Sequence, residues 1–542
     1  MSEQLSPLQS QSQAAPVAAP GRAFPSLRLD SLAGEWSGVA TAIALAAILL
    51  IAAGLRLTHV NWDDYGHLHP DERFITQISM DIRAPSSAIN YFDTGTSALN
   101  PYNIERQDGS RQSTFVYGTL PLFVNKFVAT NMSWLSLGLF DDYDDYDHYN
   151  LSGRALAGIF ELGTVLMVFL LARRLVSSNA GLLAAFLYAV SAFPIQNSHF
   201  FVVDPFLAFF ATFTVFFAVR SALDGGWWNF AIAGLGAGLA AATKITAVSL
   251  LPVVVLAIGV YAWPGVKPYL APLWAGDRRE YQRQRDGRRL DASVATFFLG
   301  SLLALFVAFL AFRIAMPYAF NSPDVMGWFS WRLGHVWIVP VPYPDIMNQH
   351  WLRDQVDQQR LLSGDAAFPP NVQWIGRSKW LWPLQQMVSW GMGPALGITA
   401  WLGVVFAAIY AFRRRLGVWL VPLAWVLGYF AFMGAQYSLY MRYFLPLYPT
   451  LAVFAALVLY KTWQWASSPD PLAPLGRFGA RLSGIRPALP HAGRAAVGIV
   501  VVMTLLMGLA FYNIYREPVS RVSASKWFHQ NVPAGSVVGH EH

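Results

Sequence analysis

The chain has 542 residues, 55% of them hydrophobic and only 13% charged, with a formal net charge of +7 and no cysteine. A charged share about half that of a soluble domain, with many apolar runs near the ~20 residues that cross a bilayer, describes a polytopic membrane protein. Missing cysteine excludes disulfides, thiolate metal sites and cysteine nucleophiles. Excess Lys and Arg in such a chain marks cytoplasmic loops rather than nucleic-acid binding.

Residues 1–37 are rich in Ser, Gln, Ala and Pro, a composition expected to be disordered. The first apolar run, 38–57, ends without an A-x-A cleavage site and reads as a retained span. Ten more follow, at about 152–172, 180–198, 203–220, 229–245, 247–263, 293–315, 386–412, 416–435, 443–460 and 495–513. Eleven spans leave two long loops, 58–151 and 316–385, the second rich in Trp, Pro and Gln. A tail, 515–542, ends in a stretch that reads like the first strand of a further soluble domain.

Basic clusters orient the chain. Arg173 and Arg174 end span two. Lys267, Arg278, Arg279, Arg283, Arg285, Arg288 and Arg289 follow span six. Arg413, Arg414 and Arg415 end span eight, and Arg477, Arg481, Arg486 and Arg494 follow span ten. With eleven spans and a cytoplasmic N-terminus, all four clusters fall inside. Both long loops, the first and fourth on the outer side, then face out.

Directly behind span one lies NWDDYGHLHPDERF, residues 61–74. It holds four carboxylates, Asp63, Asp64, Asp71 and Glu72, and two imidazoles, His67 and His69. Such a knot can activate a hydroxyl, bind a divalent cation, or hold a phosphate-bearing lipid through a metal. Pro70 disfavours helix at His69 and suits the first turn of a helix starting near Asp71. The helix dipole would then favour ionised Asp71 and Glu72, and an ionised carboxylate at a membrane boundary suits a general base. The bland alternative is that these acids only cap the helix. A second acidic run, Asp141 to Asp147, reads as a solvated turn capping span two.

Further polar groups punctuate the outer ends of the spans. Asn197, His199 and Asp204 lie between spans three and four, Lys244 ends span five, and Arg442 opens span ten. Arg442 and Lys244 suit a phosphate. His199 and Asp204 suit ordering the acidic site or contacting a sugar. Equally, His199 could be structural, Asp204 could cap its helix before Pro205, and Lys244 could snorkel. Trp374, Trp380 and Trp382 suit stacking on sugars or, more commonly, anchoring at the interface.

Five segments in this order, HPDERF (69–74), YFDTGTSALNPYN (91–103), FVYGTLPLF (115–123), IQNSHFFVVDPF (195–206) and RYFLPLYP (442–449), resemble membrane glycosyltransferases of the GT-C fold. The nearest likeness is to bacterial phospholipid-carrier-dependent enzymes of the family 39 type, relatives of protein O-mannosyltransferases and aminoarabinose transferases. The resemblance implies an all-α bundle of about eleven transmembrane helices over residues 38–514, in the plasma membrane. It implies transfer of a sugar from a polyprenyl-phosphate donor to an acceptor glycan, lipid or protein, at an extracytoplasmic site among membrane lipids. Asp71, with Glu72 beside it, maps to the acidic catalytic residue of the first outer loop, and Arg442 with Tyr443 to the donor-phosphate end. The family often has a bare Asp-Glu. The added Asp63, Asp64, His67 and His69 leave use of Mg2+ or Mn2+ open, with Asp71, His69 and Asp64 as candidate ligands.

Inversion at an anomeric carbon asks for a base on one face and a neutralised leaving group on the other. Asp71 would serve as base, with Arg442 and Lys244 on the phosphate. The competing reading is a transporter or flippase for a lipid or sugar, which should place ionisable groups at mid-bilayer in broken helices. Glu161 is the main such group here, and no internal repeat is visible. A third reading is a structural scaffold.

Overall fold

The computed structural model describes residues 37–106, 109–274, 292–321, 347–366, 368–468 and 487–539. The N-terminal stretch expected to be disordered, most of the two long basic loops and the last three residues of the tail lie outside the described residues.

Helix α1 (Gly38–Leu57) starts at Ser37, whose hydroxyl accepts from Ala40 N. A tight loop follows, in which His59, Asp64, Tyr65 and His67 all have positive φ. The first long loop then folds as α2 (Pro70–Asp81), α3 (Ala88–Phe92), α4 (Leu120–Thr130) and α5 (Met132–Leu135). The helix expected behind His69 begins at Pro70, with His69 as its N-cap. Asp145 of the second acidic run accepts from His148 N and caps α6 (Tyr146–Leu175).

The bundle continues as α7 (Ser178–Ala189), α8 (Ala192–Ser198), α9 (Asp204–Asp224), α10 (Trp227–Thr243), α11 (Leu250–Trp274) and α12 (Ala292–Ala315). The second long loop contributes α13 (Gln349–Ser363) and α14 (Leu381–Gln386), joined through a π turn at Met387–Gly391 to α15 (Pro394–Arg414). Last come α16 (Leu420–Gly434), α17 (Tyr448–Ala466), α18 (Ala488–Tyr512) and α19 (Ser520–Asn531). The described residues form no strand, only isolated bridges between Glu105 and Arg111 and between Phe320 and Met347.

Among the described residues nine helices are long and apolar enough to cross a membrane, or ten if the bent α7–α8 pair is one span. The expected eleventh, 229–245, folds as α10, which has 17 residues and so extends about 25 Å, short of the ~30 Å hydrocarbon core. It is bound into the bundle by small residues. Gly234 and Gly238 lie against the carbonyls of Ala304 and Ala308 on α12, leaving no room for a Cβ. Between helices in lipid, close approach of this kind supplies the packing that the hydrophobic effect does not. Helix α17 is the centre, buried along most of its length, while α1 and α18 are mainly exposed on the periphery.

The 60° bend between α7 and α8 has an identifiable cause. Carbonyls freed by a broken helix need partners. Arg56, fully buried at the end of α1, donates to Ala189 O at 2.7 Å and Tyr188 O at 3.3 Å. Its charge is met by Glu161 on α6 at 3.7 Å, which also accepts from Tyr188 Oη at 2.9 Å. This closed trio sets the angle at which α8 is presented.

The first long loop is fused to the end of the bundle. Ile75 and Ile78 of α2 and Ile82 just past its end join Phe115, Leu122, Phe201 and Phe206 in one buried cluster. Buried Asp354 on α13 stitches the two long loops together, accepting from Tyr102 Oη at 2.6 Å and from Phe115 N at 2.7 Å.

Candidate active site

Consecutive residues on a helix project about 100° apart, so Asp71 and Glu72 at the start of α2 cannot face the same way. The acidic knot accordingly divides in two. Glu72 turns inward to Arg154 of α6, with contacts of 2.6 and 2.8 Å, and accepts Phe201 N at 2.8 Å. The same guanidinium makes a two-pronged contact with Asp63, both at 2.9 Å, donates to Val60 O at 2.8 Å, and lies 5.2 Å from the Trp62 ring. Arg154, Glu72 and Asp63 are fully buried. Burial pushes the Asp63 carboxyl up, but its hydrogen bonds and the Arg154 charge outweigh that and hold it below the usual carboxylate range. This half fastens the loop to α6.

Asp71 faces the other way and is partly exposed. It pairs with Arg442, which stands in a 3-10 turn, Met441–Leu447, leading into α17. Tyr443 follows. Lys244, at the end of α10, holds its ammonium 4.6 Å from the Tyr443 ring and 2.8 Å from Asp204, the first residue of α9. The Tyr117 hydroxyl lies near enough to the Asp71 carboxylate to favour its ionised form. Its neighbour Gly118 lies so close to the Ala242 carbonyl that no side chain fits, and donates to Thr243 O at 3.1 Å. Tyr117 is thereby held beside the end of α10.

Desolvation opposes ionisation of Asp71, but the Arg442 charge, His69 and the Tyr117 hydroxyl together bring its carboxyl below the usual range. His69 is pushed down, first by burial and then by Arg442 against the pull of Asp71 and Glu72. Its Nδ1 accepts Glu72 N at 3.3 Å, and its ring lies 4.8 Å from Phe200.

Of the residues singled out in the sequence, Asp71, His69, Arg442, Tyr443, Lys244 and Asp204 converge. Asp63 and Glu72 sit behind them on Arg154. Asp64 lies on the exposed surface, 2.6 Å from Lys526 of α19, and His67 pairs with Asp147 at 2.7 Å. His199 is spent inside the fold: Nδ1 on Ile195 O at 2.8 Å, Nε2 on Thr58 O at 3.2 Å, and its ring stacked 3.9 Å from Tyr515. Asp71, His69 and Asp64 therefore do not gather around one point. Among the described residues no three His, Asp or Glu side chains are placed to share a metal ion. Positive charge at the centre comes from Arg442 and Lys244.

Sequence reasoning passed over Arg154 and Tyr117. Arg154 carried a signal, a charge inside an apolar run, which is a functional candidate by default. Tyr117 carried none beyond its segment. Trp374 is buried edge-on against Tyr440 at 4.8 Å, and Trp380 donates to Ala431 O at 3.0 Å.

A cavity of about 220 Å³ opens beside Arg442, walled by His69, Phe193, Gln196, Asn197, Phe200 and Tyr440. A second, of about 280 Å³, lies between α7, α17 and α18 around Leu182, Leu459 and Trp463, with no charged lining. The first adjoins the ion pairs and is the one with chemistry at its wall.

The family model for dolichyl-phosphate-mannose-protein mannosyltransferase matches residues 132–272. Solved structures match nearly the whole length. The apo oligosaccharyltransferase of Archaeoglobus fulgidus superposes with a TM-score of 0.50 at 15% identity, over 91% of this chain and 58% of that one. The fold is GT-C. The same archaeal enzyme in complex with an inhibitory peptide and a dolichol-phosphate gives 0.49 at 16% identity, over 91% and 58%. ArnT from Cupriavidus metallidurans bound to undecaprenyl phosphate gives 0.46 at 14%, over 92% and 82%. The GT-C chain here thus spans a little over half the length of the archaeal enzyme. No curated protein matches it.

Proposed function

We propose that this chain is a glycosyltransferase that takes a sugar from a polyprenyl-phosphate donor and passes it, with inversion, to an acceptor hydroxyl on the outer face of the cell membrane. The observation that carries the reading is the array at the edge of the bundle. Two cations, Arg442 and Lys244, flank the Tyr443 ring beside a carboxylate, Asp71. The mannosyltransferase family model over 132–272 supports a lipid-phosphate sugar donor.

The acceptor oxygen attacks the anomeric carbon, the bond from that carbon to the phosphate oxygen breaks, and polyprenyl phosphate leaves. Asp71 takes the acceptor proton, and Arg442 with Lys244 neutralises the charge growing on the leaving phosphate. In the resting protein Arg442 is engaged with Asp71. A donor phosphate competes for that guanidinium. As it wins, Asp71 loses its strongest stabilising neighbour and its proton affinity rises, so donor binding arms the base. Glu72, saturated by Arg154 and Phe201 N, keeps the start of α2 in place. In the transporter reading Glu161 should face a path, whereas Arg56 and Tyr188 enclose it.

The test is transfer of labelled sugar from a panel of polyprenyl-phosphate donors in proteoliposomes. Arg442→Gln is expected to lower kcat/KM about 10- to 100-fold, as befits loss of a charge-assisted hydrogen bond, with kcat falling as well as donor KM rising because the charge it meets grows in the transition state. Labelled lipid crossing the bilayer with no transfer would replace this reading by transport. Chelator in a parallel arm decides on metal.

A further inference from the structure

Helix α8 presents two amides to the 220 Å³ cavity that borders Arg442, and neither is fully used by the fold. Gln196 makes no side-chain hydrogen bond to another described residue. Asn197 spends its Nδ2 on Phe193 O at 2.9 Å and leaves its Oδ1 unbonded among the described residues. Arg442 Nε, buried at the same wall, also has no hydrogen-bond partner among the described residues. The rings of Phe193, Phe200 and Tyr440 form much of the remaining wall, completed by His69 and Met441. Tyr440 is held in position by Trp374 at 4.8 Å and by Gln373 Nε2 donating to its hydroxyl at 3.2 Å. The lip is built to stay put, since Arg56 fixes the bend before α8 and His199 ties down its end.

Aromatic faces beside free amides match a carbohydrate ring, whose C–H faces pack on the rings while its hydroxyls exchange hydrogen bonds with the amides. A prenyl chain would leave those polar groups unpaired at a cost. The volume is below the ~300–1,000 Å³ of drug-sized sites, enough for a single ring. Arg442 joins this cavity to the phosphate-binding cations, so an occupant of the cavity lies directly beside the phosphate.

We infer that Gln196 and Asn197 form the sugar-recognition subsite for the donor, reading hydroxyls of the glycosyl group while Arg442 holds its phosphate. This rests on the glycosyltransferase reading, and the test separates the two. Binding of polyprenyl phosphate and of glycosylated polyprenyl phosphate, from the same donor panel, is compared in detergent for wild type and Gln196→Leu. Wild type should bind its glycosylated donor about tenfold or more tighter than the bare lipid phosphate. Gln196→Leu should lose about 3- to 10-fold of that preference, the magnitude of one hydrogen bond, with binding of the bare lipid phosphate unchanged. Wild type that binds both forms equally overturns the subsite while leaving the phosphate site standing. So does a variant that weakens both forms alike. Wild type that binds neither form removes the glycosyltransferase reading itself.

Discussion

Asp71→Asn should lower sugar transfer by about 10²- to 10⁴-fold, the range for losing a positioned general base, while binding of polyprenyl phosphate persists or strengthens. The two outcomes belong together. Asn fills the same space, but it cannot accept the acceptor's proton. It also no longer holds Arg442, so the guanidinium is free for the phosphate. A merely structural carboxylate would show the opposite pattern, with binding and turnover falling together. The pH dependence follows from the same geometry. Arg442 and Tyr117 hold the resting Asp71 carboxyl below its ordinary range. Its contribution to stability is therefore present above the unfolded carboxylate pKa of about 3.9 and is lost as pH falls through the lower folded value. Once donor phosphate draws Arg442 away, the carboxyl rises. The acid limb of kcat should then lie at higher pH than that of kcat/KM, because the first reports the donor-bound enzyme and the second the free one. Full activity of Asp71→Asn would end its assignment as base.

Arg154→Met should prevent folding or come close to it. The substitution removes the one cation shared by Asp63 and Glu72, all three groups being fully buried. Breaking a buried pair from one side costs about 3–5 kcal/mol, against a total stability of about 5–15 kcal/mol, and here two carboxylates are abandoned at once. The expected result is loss of the monodisperse folded protein in detergent, or a sharply lowered Tm where some survives. Acidic buffer should recover part of the loss, since stranded carboxylates shed their penalty by protonation. The neutralising double change Asp63→Asn with Glu72→Gln should partly rescue Arg154→Met at neutral pH. An unchanged Tm for Arg154→Met would show that the trio does not fasten the loop.

These two outcomes separate adjacent residues that the sequence presents as equals. Asp63, Asp64, Asp71 and Glu72 look alike in the primary structure, all within ten positions of one another. Helical phase sends Asp71 to Arg442 and Glu72 to Arg154. The positive-φ turns at Asp64, Tyr65 and His67 throw Asp64 outward to Lys526 and leave Asp63 inside. His199 reads in sequence as a polar group at a membrane edge, and in the fold its ring nitrogens face Ile195 O in its own turn and Thr58 O behind α1.

Composition and apolar run length determined the polytopic helical class, because every backbone group in a bilayer must be satisfied within its own helix. Pro70 behind His69 determined where α2 begins, because a fixed φ and a missing N–H suit only the first turn. Arg442 and Lys244 were recognisable as cations at helix ends beside the bilayer. The tertiary structure alone decided the pairings. Asp71 meets Arg442 across 371 positions of chain, Asp63 meets Arg154 across 91, and Gln196 reaches the cavity beside Arg442 only because Arg56 holds the bend after α7. Local sequence encodes φ, ψ and hydropathy over a few residues. Which charge neutralises which is set by helix packing over the whole bundle, where a buried charge has few partners within reach and a large penalty for finding none.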